Sequence, residues 1–277
     1  LDGGNSYSVF FEKIYDNYPP SLQKMFCSVK RIFIEKSFSG TAYAGAIYNS
    51  QGQPTGAIMG IRQSVLDQNL DLQTWASWKE QLSFGGTTNS FDPVDNLPRI
   101  ETSSTSKVSD FLYFVIAHEF GHIFDFANGL NHTTDCTAPN PQPGTGDCKL
   151  APGTWGALSW ERTTKPLAQN DFFNRTGLCF YNCPNPLSPQ NVSQVYADLS
   201  QTNFISTYAS TQPWDDFADS LAYFLISQNL NANYLIDTKQ NSSPHVFDIM
   251  AKLHSDLFAE KYQYIQNFMN RKDLYYP

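Results

Sequence analysis

The run Ser109-Asp-Phe-Leu-Tyr-Phe-Val-Ile-Ala-His118-Glu119-Phe120-Gly121-His122-Ile-Phe-Asp125-Phe-Ala-Asn128 is the most strongly helical stretch of the chain, and its reading decides the fold. Ser106 or Ser109 can cap its start, Asp110 suits its positive end, and Gly129 can end it. Phe111, Leu112, Phe114, Val115, Ile116, Phe120, Ile123 and Phe124 make it apolar enough to be buried. A buried helix does not carry two histidines and a glutamate without partners for them. At about 100° per residue, His118 and His122 lie one turn apart on nearly one line. Their ring nitrogens can then converge on a single Zn²⁺ at ~2.0–2.1 Å. Glu119 falls on the same broad face, close enough to act on a metal's water without being a ligand. Gly121 leaves room for another element to approach. Asp125 lies within about 20° of His118 on the helical wheel and can orient a ligand.

Two imidazoles and a water leave one tetrahedral position open, and catalytic zinc usually takes three protein ligands. A third histidine six residues after His122 would complete one familiar pattern, but Asn128 stands there, and His132 is too far along. Further on, Pro213-Trp-Asp215-Asp216-Phe-Ala-Asp219 opens a second helix, expected over Pro213–Asn229. Asp215 and Asp219 share a face at i, i+4. Carboxylates here also complement the helix dipole without any metal. Any of the three, Asp215, Asp216 or Asp219, could supply the third ligand.

The rest of the chain is read around these helices. Ser6–Phe26 is an amphipathic helix broken near Pro19-Pro20. Val29–Glu35, Ala42–Tyr48 and Gly56–Ser64 are strands, and Leu70–Leu82 is a helix. Phe84–Pro93 is loop, and so is most of the chain between Pro93 and the start of the long helix. From Asn131 to Asn191 the chain is rich in Pro, Gly, Asn and Cys, and reads as a long stapled loop region. A last helix is expected over His245–Asn270. With no linker-like stretch, the chain is expected to be one α+β domain over 1–277. It divides into an N-terminal sheet-and-helix part (1–105), the long helix (106–130), a disulfide-stapled insertion (131–205) and a helical C-terminal part (206–277).

The 277 residues include 41% hydrophobic, 15% aromatic and 16% charged, a globular rather than disordered balance. A formal net charge of −8 argues against nucleic acid as a partner. No apolar run reaches the ~18–20 residues of a membrane span. Four of five cysteines crowd the middle region, which suits an oxidising compartment. The local pairing expected is Cys136–Cys148 and Cys179–Cys183, with Cys27 a buried thiol. The chain begins at Leu1 without a leader and is expected to be a processed or trimmed form of a secreted or periplasmic protein, acting as a monomer.

Taken together, His118-Glu-Phe-Gly-His-Ile-Phe-Asp125 and Tyr208-Ala-Ser-Thr-Gln-Pro-Trp-Asp215-Asp-Phe-Ala-Asp219 resemble the catalytic core of the anthrax lethal factor type of zinc peptidase, a pattern shared by the Pro-Pro endopeptidases. In that group a tyrosine precedes the third ligand by seven residues, as Tyr208 precedes Asp215. The resemblance covers roughly 109–128 and 206–226. It implies a zincin-like domain: a small mixed sheet, an active-site helix carrying the two histidines, and a helical C-terminal part. It implies His118, His122 and Asp215 as ligands of one Zn²⁺, Glu119 as general base and Tyr208 as an oxyanion donor. Asp219 would support a ligating histidine. The group has Glu where this chain has Asp215, so this helix must sit closer to the metal.

The expected activity is hydrolysis of peptide bonds in a protein substrate. Gly56–Ser64 is the expected edge strand for an extended substrate. Trp155, Trp160, Phe172, Phe173, Phe180 and Tyr181 form either a small core of the insertion, the favoured reading, or a groove wall. The alternatives are a peptidoglycan-directed amide hydrolase and a zinc-bearing binding module without catalysis.

Overall fold

The structure is a computed structural model that describes residues 7–88, 90–103, 108–137, 146–230, 232–238 and 246–277. Ser6, Ser106 and His245, which bound expected elements, lie outside the described residues. The fold is α+β, with small sheets set around a helical centre.

The N-terminal helix breaks where Pro19-Pro20 requires, into α1 (Ser8–Asn17) and α2 (Pro20–Phe26), with Pro20 at the first helical position. Three strands come next: β1 (Val29–Glu35), β2 (Ala42–Tyr48) and β3 (Pro54–Arg62). Their order is β1-β3-β2, with β1 parallel and β2 antiparallel to β3. This corrects the expected edge strand. The 56–64 segment is central, and Ala57, Met59 and Ile61 are buried. Its nearly unbroken apolar run is the mark of a strand covered on both faces. The edge is β2.

A short helix α3 (Gln63–Asp67) leads to α4 (Leu72–Leu82), capped by Asp71, whose carboxylate accepts from the Thr74 amide at 2.8 Å. Within the expected loop lies a strand, β4 (Arg99–Thr102). Then comes α5 (Val108–Asn128), which Gly129 ends with φ of 65°. Ser109 is inside this helix rather than at its cap. α5 runs through the middle of the molecule, packed against α1, α2, α4, β2 and β3. Tyr18 hooks onto it, its hydroxyl donating to the Tyr113 carbonyl at 2.5 Å.

The middle region is more ordered than its composition suggests. It contains β5 (Thr133–Cys136), β6 (Cys148–Leu150), β7 (Trp160–Arg162) and β8 (Lys165–Pro166) in one four-stranded sheet, then α6 (Val192–Ser200). The disulfides are Cys136–Cys148, which staples β5 to β6, and Cys179–Cys183. Cys27 is exposed at the end of α2, not buried as expected. Trp155 and Trp160 do not make a separate core. Both join the main one, Trp155 edge-on to Phe217 and Trp160 beside Phe204. Phe173 is 89% exposed and belongs to neither alternative.

The C-terminal part opens with α7 (Pro213–Asn229), at the bounds read from the sequence. Its first three turns are buried, and it packs along α5. A side chain at Gly121 would place its Cβ 2.6 Å from Ala218 Cα, so Gly121 sets how closely the two helices approach. The expected helix from 245 proves to be a strand and two helices: β10 (Val246–Asp248), α8 (Ile249–Leu253) and α9 (Ala259–Met269). β10 pairs with β9 (Tyr234–Asp237), which pairs with β4. Among the described residues no helix is long and apolar enough to cross a membrane.

Candidate metal centre

α5 and α7 bring three side chains to one point. His122 Nε2 lies 3.2 Å from His118 Nε2. Asp215 Oδ1 lies 3.5 Å from the His118 nitrogen and 3.4 Å from the His122 nitrogen. The three donors therefore form a nearly equilateral triangle. A tetrahedral Zn²⁺ with bonds of ~2.0–2.1 Å holds its ligands roughly 3.3–3.4 Å apart. The triangle has that size, and among the described residues this is the one group of His, Cys, Asp and Glu that could hold a metal ion. Asp215 reaches despite its short side chain because Gly121 lets α7 sit against α5.

The surrounding groups favour a cation here. Glu119 is buried beside the triangle, and its Oε2 has no hydrogen-bond partner. Burial raises its carboxyl above the usual carboxylate range, while His118 and His122 pull it back. Asp219 Oδ1 stands 2.8 Å from His118 Nδ1, at contact distance though off the ideal line, and neither atom has another hydrogen-bond partner. The second Asp219 oxygen accepts from Ser206 Oγ at 2.5 Å. Burial pulls His118 down, but Asp215, Asp219 and Glu119 outweigh it and push the ring up to about 9. Burial also opposes charge on Asp215, yet the two imidazoles hold it well below the usual range. Without a metal, then, the site holds a proton; with one, the same carboxylates would balance the ion.

Tyr208 stands at the wall of the site, its ring centroid 5.7 Å from that of His118. Burial and the charge of Asp215 keep its phenol protonated, so it can only donate to an anionic centre. The two residues before it are pinned: Ser206 bonds Asp219, and Thr207 Oγ1 donates to buried Glu80 at 2.6 Å.

Two expected residues have partners of their own. Asp216 points away from the histidines and binds Lys261 Nζ through both oxygens, at 2.6 and 2.7 Å. Asp125 accepts from the Asn131 amide at 2.7 Å and from its side chain at 2.8 Å. Asn131 in turn donates to the Pro213 carbonyl at 3.2 Å. Asp125 lines the cleft beside the histidines and, through Asn131, holds the start of α7. His132 is exposed at the cleft mouth.

The site opens into a cleft of 930 Å³. Ala42, Ala44 and Ala46 of β2 form one wall, and Phe126 and Trp214 stand on the other. Sequence reasoning missed Lys79, which is buried behind Tyr208, as well as Glu80 and the proximity of Tyr181. No sequence signal marked them, because the burial of this helix on nearly every side shows only in the fold. Compared with known protein families, curated proteins and solved structures, the chain has no significant match in any of the three.

Proposed function

We propose that this protein is a secreted zinc endopeptidase with a zincin-like domain, akin to the anthrax lethal factor type. The observation that carries the reading is the donor triangle of His118, His122 and Asp215, sized for a tetrahedral ion and flanked by an unpartnered buried glutamate. These three residues would hold one Zn²⁺. Bound there, zinc would polarise the scissile carbonyl and acidify a water. Glu119 is placed to take a proton from an attacking water and pass it to the leaving amine. Its burial suits the first step, because a raised carboxyl takes up a proton more readily. Tyr208 donates a hydrogen bond to the oxygen on which charge develops. Asp219 holds the far nitrogen of His118 and keeps that ring in the tautomer that frees Nε2. An extended substrate would add to the open edge of β2, above the site. The two disulfides support the secreted assignment.

Metal analysis with activity assays tests this. The purified chain should hold one zinc per molecule and cleave a protein substrate, and chelation should abolish cleavage. Glu119→Ala should keep the zinc and lose activity by about 10²–10⁴-fold. Side-by-side trials on casein and on peptidoglycan separate a peptidase from a wall amidase. A metal-free chain, or unchanged turnover in Glu119→Ala, would falsify the proposal.

A further inference from the structure

We propose that Lys79 and the Cys179–Cys183 loop form a cage that positions Tyr208; the inference rests on the peptidase reading above. Lys79 leaves α4 and is only 8% exposed. Its Nζ lies 3.7 Å from the centroid of the Tyr208 ring, 5.5 Å from that of Trp75 and 5.8 Å from that of Phe180. Asp219 Oδ1, its ion-pair partner, is 3.8 Å away. A buried ammonium whose ion-pair partner stands 3.8 Å off is costly, and stability alone does not favour it. What the position provides is a cation over the face of one phenol, an attraction that strengthens as water is excluded.

The second wall is the disulfide loop. Phe180 meets the Tyr208 ring edge-on, with centroids 4.8 Å apart. The next two residues, Tyr181 and Asn182, both have positive φ, 59° and 51°, although neither is glycine. Consecutive left-handed residues are strained and persist only where their surroundings hold them. Here the Cys179–Cys183 bond closes the loop, and three contacts dock it. Tyr181 and Thr41 hydroxyls meet at 3.0 Å, Asn182 Nδ2 donates to Ser39 Oγ at 2.8 Å, and Ser83 Oγ donates to the Cys179 carbonyl at 2.7 Å. The strained turn delivers Phe180 to one side of Tyr208, Lys79 covers its face, and His118 lies beyond. Lys79 also faces Asp219, the carboxylate against His118, so one ammonium touches both supports of the site.

The cage acts through Tyr208, and that sets the test. Lys79→Met and Phe180→Leu are made in the full chain, each with and without Tyr208→Phe, and zinc content, kcat and KM are measured. With Tyr208 present, kcat should fall about 10–100-fold, because small misplacement of a catalytic group costs on that order. KM should stay within about twofold and zinc content should not change. In the Tyr208→Phe background the same changes should cost less than about threefold, since the group they position has lost its hydroxyl. A readout free of turnover is the ring resonance of Tyr208 in ¹³C-tyrosine-labelled protein, assigned by its loss in Tyr208→Phe. It should shift in Lys79→Met, with zinc or without. Equal losses in both backgrounds, an unmoved resonance, or loss of zinc would overturn the proposal. Should Lys79→Met fail to fold, Phe180→Leu and the paired replacement of Cys179 and Cys183 by alanine carry the same comparison. If the unaltered chain cleaves nothing, the peptidase reading fails, and the resonance still decides whether Lys79 seats Tyr208.

Discussion

The two faces of α7 bury carboxylates in opposite ways. On one face Asp216 lies against Lys261, whose ammonium reaches both of its oxygens, and Trp160 Nε1 adds a third donor at 3.2 Å. Trp155 and Phe204 rings, each 5.0 Å from the ammonium, seal the pair. On the other face Asp215 meets two imidazoles, and Asp219 meets the far side of one of them. All three carboxylates are buried. Burial holds Asp216 above the usual carboxylate range although Lys261 pulls it down, whereas the imidazoles take Asp215 well below it. Burial alone therefore does not distinguish a site from a strut. The distinction lies in the partner: a lysine closes the charge permanently, while an imidazole can exchange its proton for a metal ion.

Replacing one residue at a time sharpens this contrast. Asp215→Ala removes one of three proposed ligands and should lower zinc affinity by more than about 10³-fold, given that even outer partners of ligands are worth 10–100-fold. Competition with a chelator measures it, and retention of zinc at wild-type affinity would move the third ligand elsewhere. Asp216→Ala should leave zinc content alone but strand Lys261 in an apolar cage. Breaking one partner of a buried pair costs about 3–5 kcal/mol, readable as a lower urea midpoint. If Asp216→Ala instead loses zinc at full stability, the two faces have been assigned the wrong way round. Asp219→Asn keeps the shape of the His118 support without its charge, and zinc affinity should drop about 10–100-fold.

The same contrast shows where the sequence could be read. α5 and α7 were legible because each carries its own punctuation, Gly129 closing one and Pro213 opening the other, around an unmistakable helical period. Tyr208 entered through the family resemblance, and the structure sets its ring 5.7 Å from that of His118. By contrast β4, β9 and β10 are three or four residues long, too short for alternation to register, and they exist because they pair with one another. The place of 56–64 in the sheet was misjudged although its unbroken apolar run pointed to the centre. The middle region looked like loop because strands of two to four residues, stapled at Cys136–Cys148, leave little pattern. Lys79 could not be assigned at all. A lysine beside Trp78 carries no sign that folding will set it over a tyrosine 129 positions away. The candidate ligands could be read from local period, while the groups packed around them required the tertiary structure.

The smallest expected effect concerns pH. In metal-free protein His118 titrates at about 9, raised from 6.5 by Asp215, Asp219 and Glu119 against the pull of burial. A raised histidine contributes stability that is fully present below about 6.5 and is lost as pH climbs through about 9. Zinc must displace that proton, so binding releases it, and apparent affinity should rise about tenfold per pH unit from neutrality towards 9 before levelling. Calorimetry in buffers of different ionisation enthalpy would count the proton. Thermal melts between pH 7 and 9.5 should show the metal-free chain losing stability while the zinc-loaded chain does not. Were affinity flat over that range, His118 would already be neutral when metal-free, and the carboxylates around it would be balanced by something other than its proton. Lys79, 3.8 Å from Asp219, is then the group to test, and Lys79→Met should restore the slope.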